Sequence, residues 1–265
     1  MIWPVNEVQQ PPLLVGAANP KKITAVKDTA ILMAIFAHPD DELLTGALLA
    51  HYAAKGVYVY LVVATNGSKG VEKHAHIPAG PALVDERKKE TVCSALVLGI
   101  QPPIFLGASD QLESGPGGLS SQLELVRKGV DSLINRLRPD AIITFGPSGW
   151  TGHPDHRMVG MVVTEAFAAH AWPKDPGLFY SELATGSITD SSWAHYQTVD
   201  SSYLTLRIPL DSVDYSKVRT AFRCHASQYR PMIQERLPRF IEQAQRRVAM
   251  LRPFEPQSQS KLIFP

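Results

Sequence analysis

The sequence predicts an α/β protein with a mostly parallel β-sheet flanked by helices. Two observations indicate this class. Apolar runs of strand length alternate with stretches of helical length, and the runs are apolar on both faces, as expected for strands covered on each side by helices. The chain has 265 residues, 45% of them apolar, which is enough for one large core. We expect a single domain over residues 1–265, with an N-terminal arm at 1–25, a sheet core at 26–175 and a C-terminal extension at 176–265.

Four strand–helix pairs are predicted in the sheet core. The strands are the apolar runs at 30–37, 57–65, 103–107 and 140–146. The helical stretches that follow them lie at 40–55, 82–98, 119–138 and 154–171. A helix-stopping residue stands directly after each of the first three helices: Gly56, Gly99 and Pro139. The alternation predicts repeated βαβ units, whose strands pair in parallel.

The C-terminal extension has a looser pattern. We expect strands there at 178–184 and 203–210, and helices at 212–226 and 231–250. Elsewhere, two polar stretches that contain glycine and proline are predicted to be surface loops, at 66–81 and 108–118. The sequence has no internal repeat and no low-complexity tract.

The charge balance favours a small-molecule substrate. The chain carries 26 Lys and Arg residues against 25 Asp and Glu residues, a formal charge of +1, without a long run of one sign. Nucleic acid and anionic membranes attract strongly basic surfaces, so neither partner is expected. No stretch approaches the roughly 20 apolar residues that a membrane helix requires, and the N-terminus lacks a signal-peptide pattern. We therefore expect a cytoplasmic protein, and a homo-oligomer is compatible with the sequence.

The two cysteines, Cys93 and Cys224, lie in segments predicted to be helical. Buried reduced thiols are the commoner state of cysteines in a cytoplasmic protein. We expect free thiols at both positions, in preference to a disulfide or a catalytic nucleophile.

Two charged segments follow the first and fourth predicted strands. HPDDE follows the first strand at residues 38–42, and HPDH follows the fourth at 153–156. Proline in a first helical turn with acids beside it is an ordinary helix start, because the acids meet free amide groups and the positive end of the helix dipole. The recurrence of His-Pro-Asp favours a site instead. In a doubly wound sheet of order 3-2-1-4-5, strands 1 and 4 are neighbours, so both segments line the ligand-binding crevice.

The two segments together offer side chains that can bind a metal or accept a proton: His38, Asp40, Asp41, His153 and His156. Two histidines and one carboxylate with an open coordination position form a known catalytic zinc arrangement, and a divalent ion lowers the pKa of its bound water to about 7. The sequence therefore predicts a metal-dependent hydrolase site at this crevice. The alternative is a pair of structural helix starts without a metal.

Several motifs, in their order along the chain, resemble those of the LmbE-like, or PIG-L, deacetylases. They are AHPDDE at 37–42, VVATNGSKG at 62–70, Arg87-x-x-Glu90, FLGASD at 105–110, GPSGWTGHPDH at 146–156 and HASQ at 225–228. The resemblance implies a Rossmann-like fold and zinc-dependent removal of an acyl group, usually acetyl, from the nitrogen of an amino sugar or its conjugate. Iron(II) or another divalent transition metal is a second candidate for the ion, since a His₂Asp set selects weakly between metals.

The resemblance also implies residue roles. The implied metal ligands are His38, Asp41 and His156. Asp40 resembles the general base, and His153 resembles the residue that stabilises the oxyanion and protonates the leaving amine. Arg87 and Asp110 resemble positions that hold sugar hydroxyl groups.

The chain departs from the family pattern at two positions, and two rival functions stay open. Gly46 stands alone where many members have paired glycines, and Thr151 replaces a tyrosine that is common in the thiol-sugar branch. One rival is an amidase that acts on a larger acyl group or a thiol-sugar conjugate. The other is a non-catalytic nucleotide-binding Rossmann module. Against it, HPDDE occupies the place where a G-x-G-x-x-G turn would have to admit a pyrophosphate.

Overall fold

The secondary structure comes from a computed structural model that describes residues 30–110, 119–172 and 176–254. The strands are β1 Ile31–Phe36, β2 Tyr58–Thr65, β3 Ile104–Ala108, β4 Ala141–Phe145, β5 Gly177–Ser181, β6 Leu206–Pro209 and β7 Val248–Pro253. The helices are α1 Gly46–Ala54, α2 Pro81–Leu98, α3 Leu119–Leu137, α4 Gly149–Gly152, α5 Pro154–Ala169, α6 Ser212–Cys224 and α7 Pro231–Gln245. The predicted arm at 1–25 and most of the predicted loop at 108–118 lie outside the described residues.

All seven strands belong to one mostly parallel sheet, in the order β3-β2-β1-β4-β5-β7-β6. Strands β1 to β5 pair in parallel, whereas β7 runs antiparallel to β5 and β6 runs antiparallel to β7. The predicted α/β class and the predicted order 3-2-1-4-5 are therefore confirmed. The strand order reverses between β1 and β4, so the switch point lies where the two charged segments leave the sheet. The division of the chain into arm, core and extension stays a prediction.

Burial explains why the first apolar run forms the centre of the sheet. Met33–Ala37 is completely buried. A strand covered on both faces needs apolar side chains at every position, which accounts for the absence of alternation in this run. Helices α1, α2 and α6 pack against one another, and α3 packs against α5. Their apolar side chains and those of the strands form a continuous core.

The end of the last predicted helix is wrong. The prediction places a helix over 231–250, but residues Val248–Pro253 form strand β7. Arg246 and Arg247 adopt left-handed backbone conformations, with φ of 49° and 58°, and so end the helix before the strand begins. Strand β7 then pairs with both β5 and β6 and buries Leu251 in the core.

The first predicted helix, at 40–55, is divided in the structure. Asp41–Leu44 forms a single 3₁₀ turn, and α1 begins only at Gly46. This compact turn keeps the acidic residues after β1 together at the carboxyl end of the sheet.

The predicted free thiols are wrong as well. Cys93 in α2 and Cys224 at the end of α6 form a disulfide, with their Cα atoms 5.7 Å apart. The cysteines are 131 residues apart in the sequence, and the packing of α2 on α6 brings them together. Disulfides persist in oxidising compartments, so the cysteines do not support the expected cytoplasmic location. Among the described residues, no helix is long and apolar enough to cross a membrane.

Candidate metal centre and catalytic site

Two chain segments meet at the carboxyl ends of β1 and β4. These strands are parallel neighbours, so His38, which follows β1, lies beside the start of α5. Helix α5 approaches β4 closely, and the absence of a side chain at Gly160 permits this. A Cβ atom there would lie only 2.4 Å from the carbonyl oxygen of Phe145. The approach brings His153 and His156 against His38, with ring centroids 4.9 Å and 5.1 Å away.

Three side chains converge on one point in this crevice. His38 Nδ1 lies 3.2 Å from His156 Nε2. Asp41 contacts both rings, with Oδ1 3.2 Å from His156 Nε2 and Oδ2 3.4 Å from His38 Nδ1. Tetrahedral ligands that hold zinc at about 2.0–2.1 Å are themselves about 3.4 Å apart. The three groups therefore have the spacing that one small divalent ion requires.

The outer nitrogens of both imidazoles have acceptors of their own. His156 Nδ1 lies 2.8 Å from the Gly149 carbonyl oxygen, to which it must donate because a carbonyl only accepts. His38 Nε2 lies 2.9 Å from Asp155 Oδ2. Each ring can therefore keep a proton on its outer nitrogen, and in its neutral form it turns the lone pair of its inner nitrogen toward the other ring. Two lone pairs and a carboxylate that face one point repel each other unless a cation lies between them.

The electrostatics at this point favour a cation. Burial by itself would raise the pKa of Asp41, but His156 and His38 outweigh it and hold that pKa well below its usual range. Burial would likewise lower the pKa of His38, but neighbouring carboxylates raise it to about 10, namely those of Asp41, Asp155 and Asp110. All three acids are buried. They concentrate negative potential that a proton or a metal ion neutralises.

Asp40 lies beside this cluster as a separate carboxylate. Its backbone is left-handed, with φ of 102°, a conformation that residues other than glycine adopt rarely. Arg87 Nη2 donates a hydrogen bond to Asp40 Oδ1 at 3.2 Å. Burial raises the pKa of Asp40 to about 6, although the Arg87 guanidinium opposes the shift. A carboxylate with that pKa is ionised at neutral pH and can accept a proton, as a general base must.

A family model agrees with this geometry. The model for PIG-L, described as GlcNAc-PI de-N-acetylase, matches residues 33–167, which is slightly more than half of the 265 residues and includes both His-Pro-Asp segments. The chain belongs to the PIG-L family. The resemblance of its motifs to those of LmbE-like deacetylases is thereby confirmed.

Two similar proteins are named 1D-myo-inositol 2-acetamido-2-deoxy-α-D-glucopyranoside deacetylases. The protein of Mycolicibacterium vanbaalenii is 32% identical over an alignment of 179 residues that covers 61% of this chain and 62% of the relative. The protein of Mycolicibacterium gilvum is 30% identical over an alignment of 201 residues that covers 68% of this chain and 68% of the relative. The chain therefore spans less than two thirds of the length of the first relative.

Two solved structures share the fold of this PIG-L protein. The N,N'-diacetylchitobiose deacetylase of Pyrococcus horikoshii has a TM-score of 0.66 at 20% identity, over 86% of this chain and 84% of that one. A 4-carboxy-2-hydroxymuconate hydratase of Pseudomonas putida has a TM-score of 0.62 at 16% identity, over 88% of this chain and 100% of that one. The likeness shows the fold alone, and proteins with different reactions carry that fold. The residues of the site, and not the fold, therefore determine the chemistry.

His153 lies beside the cluster and keeps one ring nitrogen, Nε2, as a hydrogen-bond donor. Its Nδ1 accepts a hydrogen bond from the backbone N–H of Asp155 at 3.1 Å and so caps α5. Because Nδ1 is the acceptor, the neutral ring carries its proton on Nε2. Burial lowers the pKa of His153, and the neighbouring His38 and His156 lower it further. The ring can therefore donate a hydrogen bond from Nε2 while it is neutral.

Arg87 and Asp110, the residues expected to hold sugar hydroxyls, are each only 3% exposed. Arg87 donates to the carbonyl oxygens of Pro39 and Gly67. Asp110 accepts hydrogen bonds at 3.1 Å from the hydroxyl of Thr65 and from the backbone N–H of Lys69 in the loop after β2. Both side chains thus hold the loop after β2 against the site, and the sugar-binding role expected for them stays a prediction.

Sequence reasoning does not single out three further residues at this site. Asp155 is completely buried and orients His38, and Glu42 and His225 are completely buried behind Asp40. Asp155 and Glu42 stand inside the two charged segments, but the sequence does not tell which acid of a segment points inward. His225 belongs to the HASQ motif, and the packing of α6 on the 3₁₀ turn brings it to the site.

Proposed function

We propose that the protein is a metal-dependent hydrolase that removes an N-acetyl or related acyl group from an amino sugar or amino-sugar conjugate. One observation carries the proposal. The inner atoms of His38, Asp41 and His156 face one point at spacings of 3.2–3.4 Å, with the carboxylate of Asp40 beside them. Membership of the PIG-L family and the deacetylase names of the relatives support the same chemistry.

The proposed metal ligands are His38, Asp41 and His156, and zinc is the proposed ion. Three protein ligands leave one tetrahedral position open, as catalytic zinc sites require. Zinc held there would polarise the acyl oxygen of the substrate and lower the pKa of a water molecule. Iron(II) accepts the same donors, so elemental analysis has to identify the ion.

Asp40 is the proposed general base. With a pKa of about 6 it is ionised at neutral pH, and it takes a proton from the attacking water. The water oxygen then adds to the acyl carbon, and the acyl oxygen gains negative charge. His153 donates its Nε2–H to that oxyanion. The proton that Asp40 took passes to the departing nitrogen as the C–N bond breaks, or comes from His153 where that ring is an imidazolium. The new carboxylic acid then gives its proton to solvent, so the products are an amine and a carboxylate.

Arg87 is proposed to orient and tune this base. Burial would leave Asp40 partly protonated near neutral pH, and the guanidinium opposes this by favouring the ionised carboxylate. The hydrogen bond from Nη2 to Oδ1 also fixes the direction of the side chain. Arg87 therefore serves the reaction through Asp40.

The test combines metal analysis with an assay for acetate release on the same purified protein. N-acetylglucosamine and its inositol conjugate are the first substrates. We expect a bound divalent metal, acetate release that a chelator abolishes, and recovery when zinc is restored. A metal-loaded protein that releases acetate from no member of the panel contradicts the deacetylase proposal.

Two rivals predict different results. Substrates with longer acyl groups or a thiol-sugar moiety distinguish the amidase alternative from the deacetylase proposal. An amidase of that kind would hydrolyse them faster than the acetyl compound. The nucleotide-binding alternative requires a site for phosphate, but the acids at this crevice repel one: Asp40, Asp41 and Glu42. Binding of a dinucleotide by the metal-free protein would favour that alternative.

A further inference from the structure

A buried ionic cluster lies directly behind the proposed base. Its members come from three separate elements, with Glu42 in the 3₁₀ turn after β1, Glu90 in α2 and His225 at the end of α6. Glu42 and His225 are completely buried, and Glu90 is 5% exposed. Charged groups at this depth are costly unless they are paired, so each holds its partners in place.

His225 joins the two acids of the cluster. Its Nε2 lies 2.7 Å from Glu42 Oε1, and its Nδ1 lies 4.0 Å from Glu90 Oε2. Ser227 anchors Glu90 by donating its backbone N–H at 2.6 Å and its hydroxyl at 2.7 Å. Burial would lower the pKa of His225, but the carboxylates of Glu42, Asp40 and Glu90 outweigh it and raise that pKa. The ring is thereby favoured as a cation between two anions.

Glu42 connects this cluster to Asp40. Its Oε2 accepts a hydrogen bond from the Asp40 backbone N–H at 3.0 Å. Asp40 has φ of 102° and ψ of −18°, and a non-glycine residue keeps such a conformation only when its surroundings hold it there. Arg87 holds the carboxylate of Asp40, whereas Glu42 holds its amide.

We infer that His225 is a positioning residue for the proposed reaction. By clamping Glu42, it keeps the Asp40 backbone in the left-handed conformation that presents the carboxylate beside the metal ligands. The inference rests on the proposed function and gives the C-terminal extension a part in it. His225 acts through Glu42 and Asp40.

The variant His225→Gln tests the inference in the full-length, zinc-loaded protein. Glutamine keeps a hydrogen-bond donor for Glu42 but removes the positive charge and the ring. We expect kcat for acetate release to fall about 10- to 100-fold, because a displaced base loses its alignment with the water. The KM and the metal content should stay within about twofold of the wild-type values.

A matched control is His51→Gln. His51 Nδ1 also pairs with a carboxylate, Asp214 Oδ2 at 3.0 Å, and this pair links α1 to α6. Its loss removes a comparable histidine–carboxylate contact without touching Glu42. We expect the control to keep the wild-type kcat. Thermal unfolding of both variants shows how much each destabilises the protein.

A double-mutant cycle separates positioning from general damage to the structure. If His225 acts through Asp40, then His225→Gln changes the residual turnover of Asp40→Asn by less than about threefold. Equal losses in both backgrounds would overturn the inference, and so would a wild-type kcat in His225→Gln or a metal loss as large as the loss of turnover. If His225→Gln does not fold, Glu42→Gln takes its place in the same cycle, with the same expected outcome.

The two proposals fail in different ways. A wild-type protein that binds metal but releases no acetate contradicts the proposed function. An active wild-type protein whose His225 variant is additive with Asp40→Asn contradicts the positioning role alone.

Discussion

The tripeptide His-Pro-Asp occurs twice at the site, and its two copies lie in different surroundings. In the first copy, residues 38–40, His38 turns Nδ1 toward the ligand cluster, and Asp40 keeps its carboxylate beside that cluster. In the second copy, residues 153–155, the histidine caps a helix through Nδ1 and the aspartate is completely buried. The same three residues therefore supply different groups to the chemistry.

The backbone explains the difference between the two copies. The first copy bends through the left-handed Asp40 into a 3₁₀ turn, whereas the second runs straight into α5 after His153. The copies also support each other, because Asp155 of the second accepts the outer proton of His38 in the first. The motif determines which groups are available, and the local conformation decides which one faces the cluster and which one is buried behind it.

The largest effect is expected from the acid that follows the first copy. Asp41→Asn should lose both the bound metal and acetate release, because a neutral amide neither balances a divalent ion nor matches the two imidazoles as a ligand. Elemental analysis and the acetate assay measure the two losses. Wild-type metal content in this variant would remove Asp41 from the ligand set.

The next prediction compares the loss of the aspartate carboxylate in each of the two copies. Asp40→Asn should keep the metal and lower kcat about 10²- to 10⁴-fold, since the general base is lost. Asp155→Asn should weaken metal affinity about 10- to 100-fold, because His38 loses its orienting partner. At saturating metal, kcat of Asp155→Asn should exceed that of Asp40→Asn. Metal titration with steady-state kinetics would expose the reverse pattern, in which the two acids have exchanged roles.

The histidine of the second copy should affect turnover without affecting the metal. His153→Asn keeps an oxygen that can cap α5 but loses the Nε2–H donor. We expect kcat to fall about 10²- to 10³-fold, as for the loss of one oxyanion donor. The metal content should match that of the wild type, and His38→Asn is the control that loses it. A metal-free His153 variant would place this histidine among the ligands.

The smallest effect is a shift in the pH dependence of kcat/KM that the ionisation of Asp40 is expected to set. Burial raises the pKa of Asp40 to about 6, and only its ionised form accepts a proton, so kcat/KM should fall as the pH drops through that value. A bound cation moves this acid limb to lower pH. Arg87→Met removes a positive charge that lowers the pKa of Asp40, so the limb should move to higher pH. An unchanged limb in this variant would contradict the tuning role of Arg87.

Much of the fold could be predicted because the first four strands alternate with helices that have clear ends. Strand β7 could not, since Ala249, Met250 and Leu251 are good helix formers that follow a helical stretch. Pairing with β5 and β6 overrides that local preference. The disulfide also depends on contacts far apart in the sequence, which the spacing of two cysteines does not reveal.

The clustering of side chains from the two copies was predictable from the sequence, but the arrangement behind Asp40 was not. The histidines and acids of each copy stand within a few residues of one another, so the sequence alone indicates them. The burial of Arg87 has no such signal, because it depends on two glycines in the loop after β2. A Cβ atom on Gly67 or Gly70 would lie 2.6 Å or 2.4 Å from Arg87 Nη1, so their lack of a side chain makes room for the guanidinium.

The bond between Cys93 and Cys224 joins the two helices that carry Arg87 and His225 toward Asp40. A recombinant preparation from a reducing bacterial cytosol would contain the dithiol, whereas export to the periplasm would deliver the cross-linked form. Preparations from the two compartments can therefore differ in how firmly Asp40 is supported while their sequences are identical. Thiol titration of each batch belongs beside its kinetic constants.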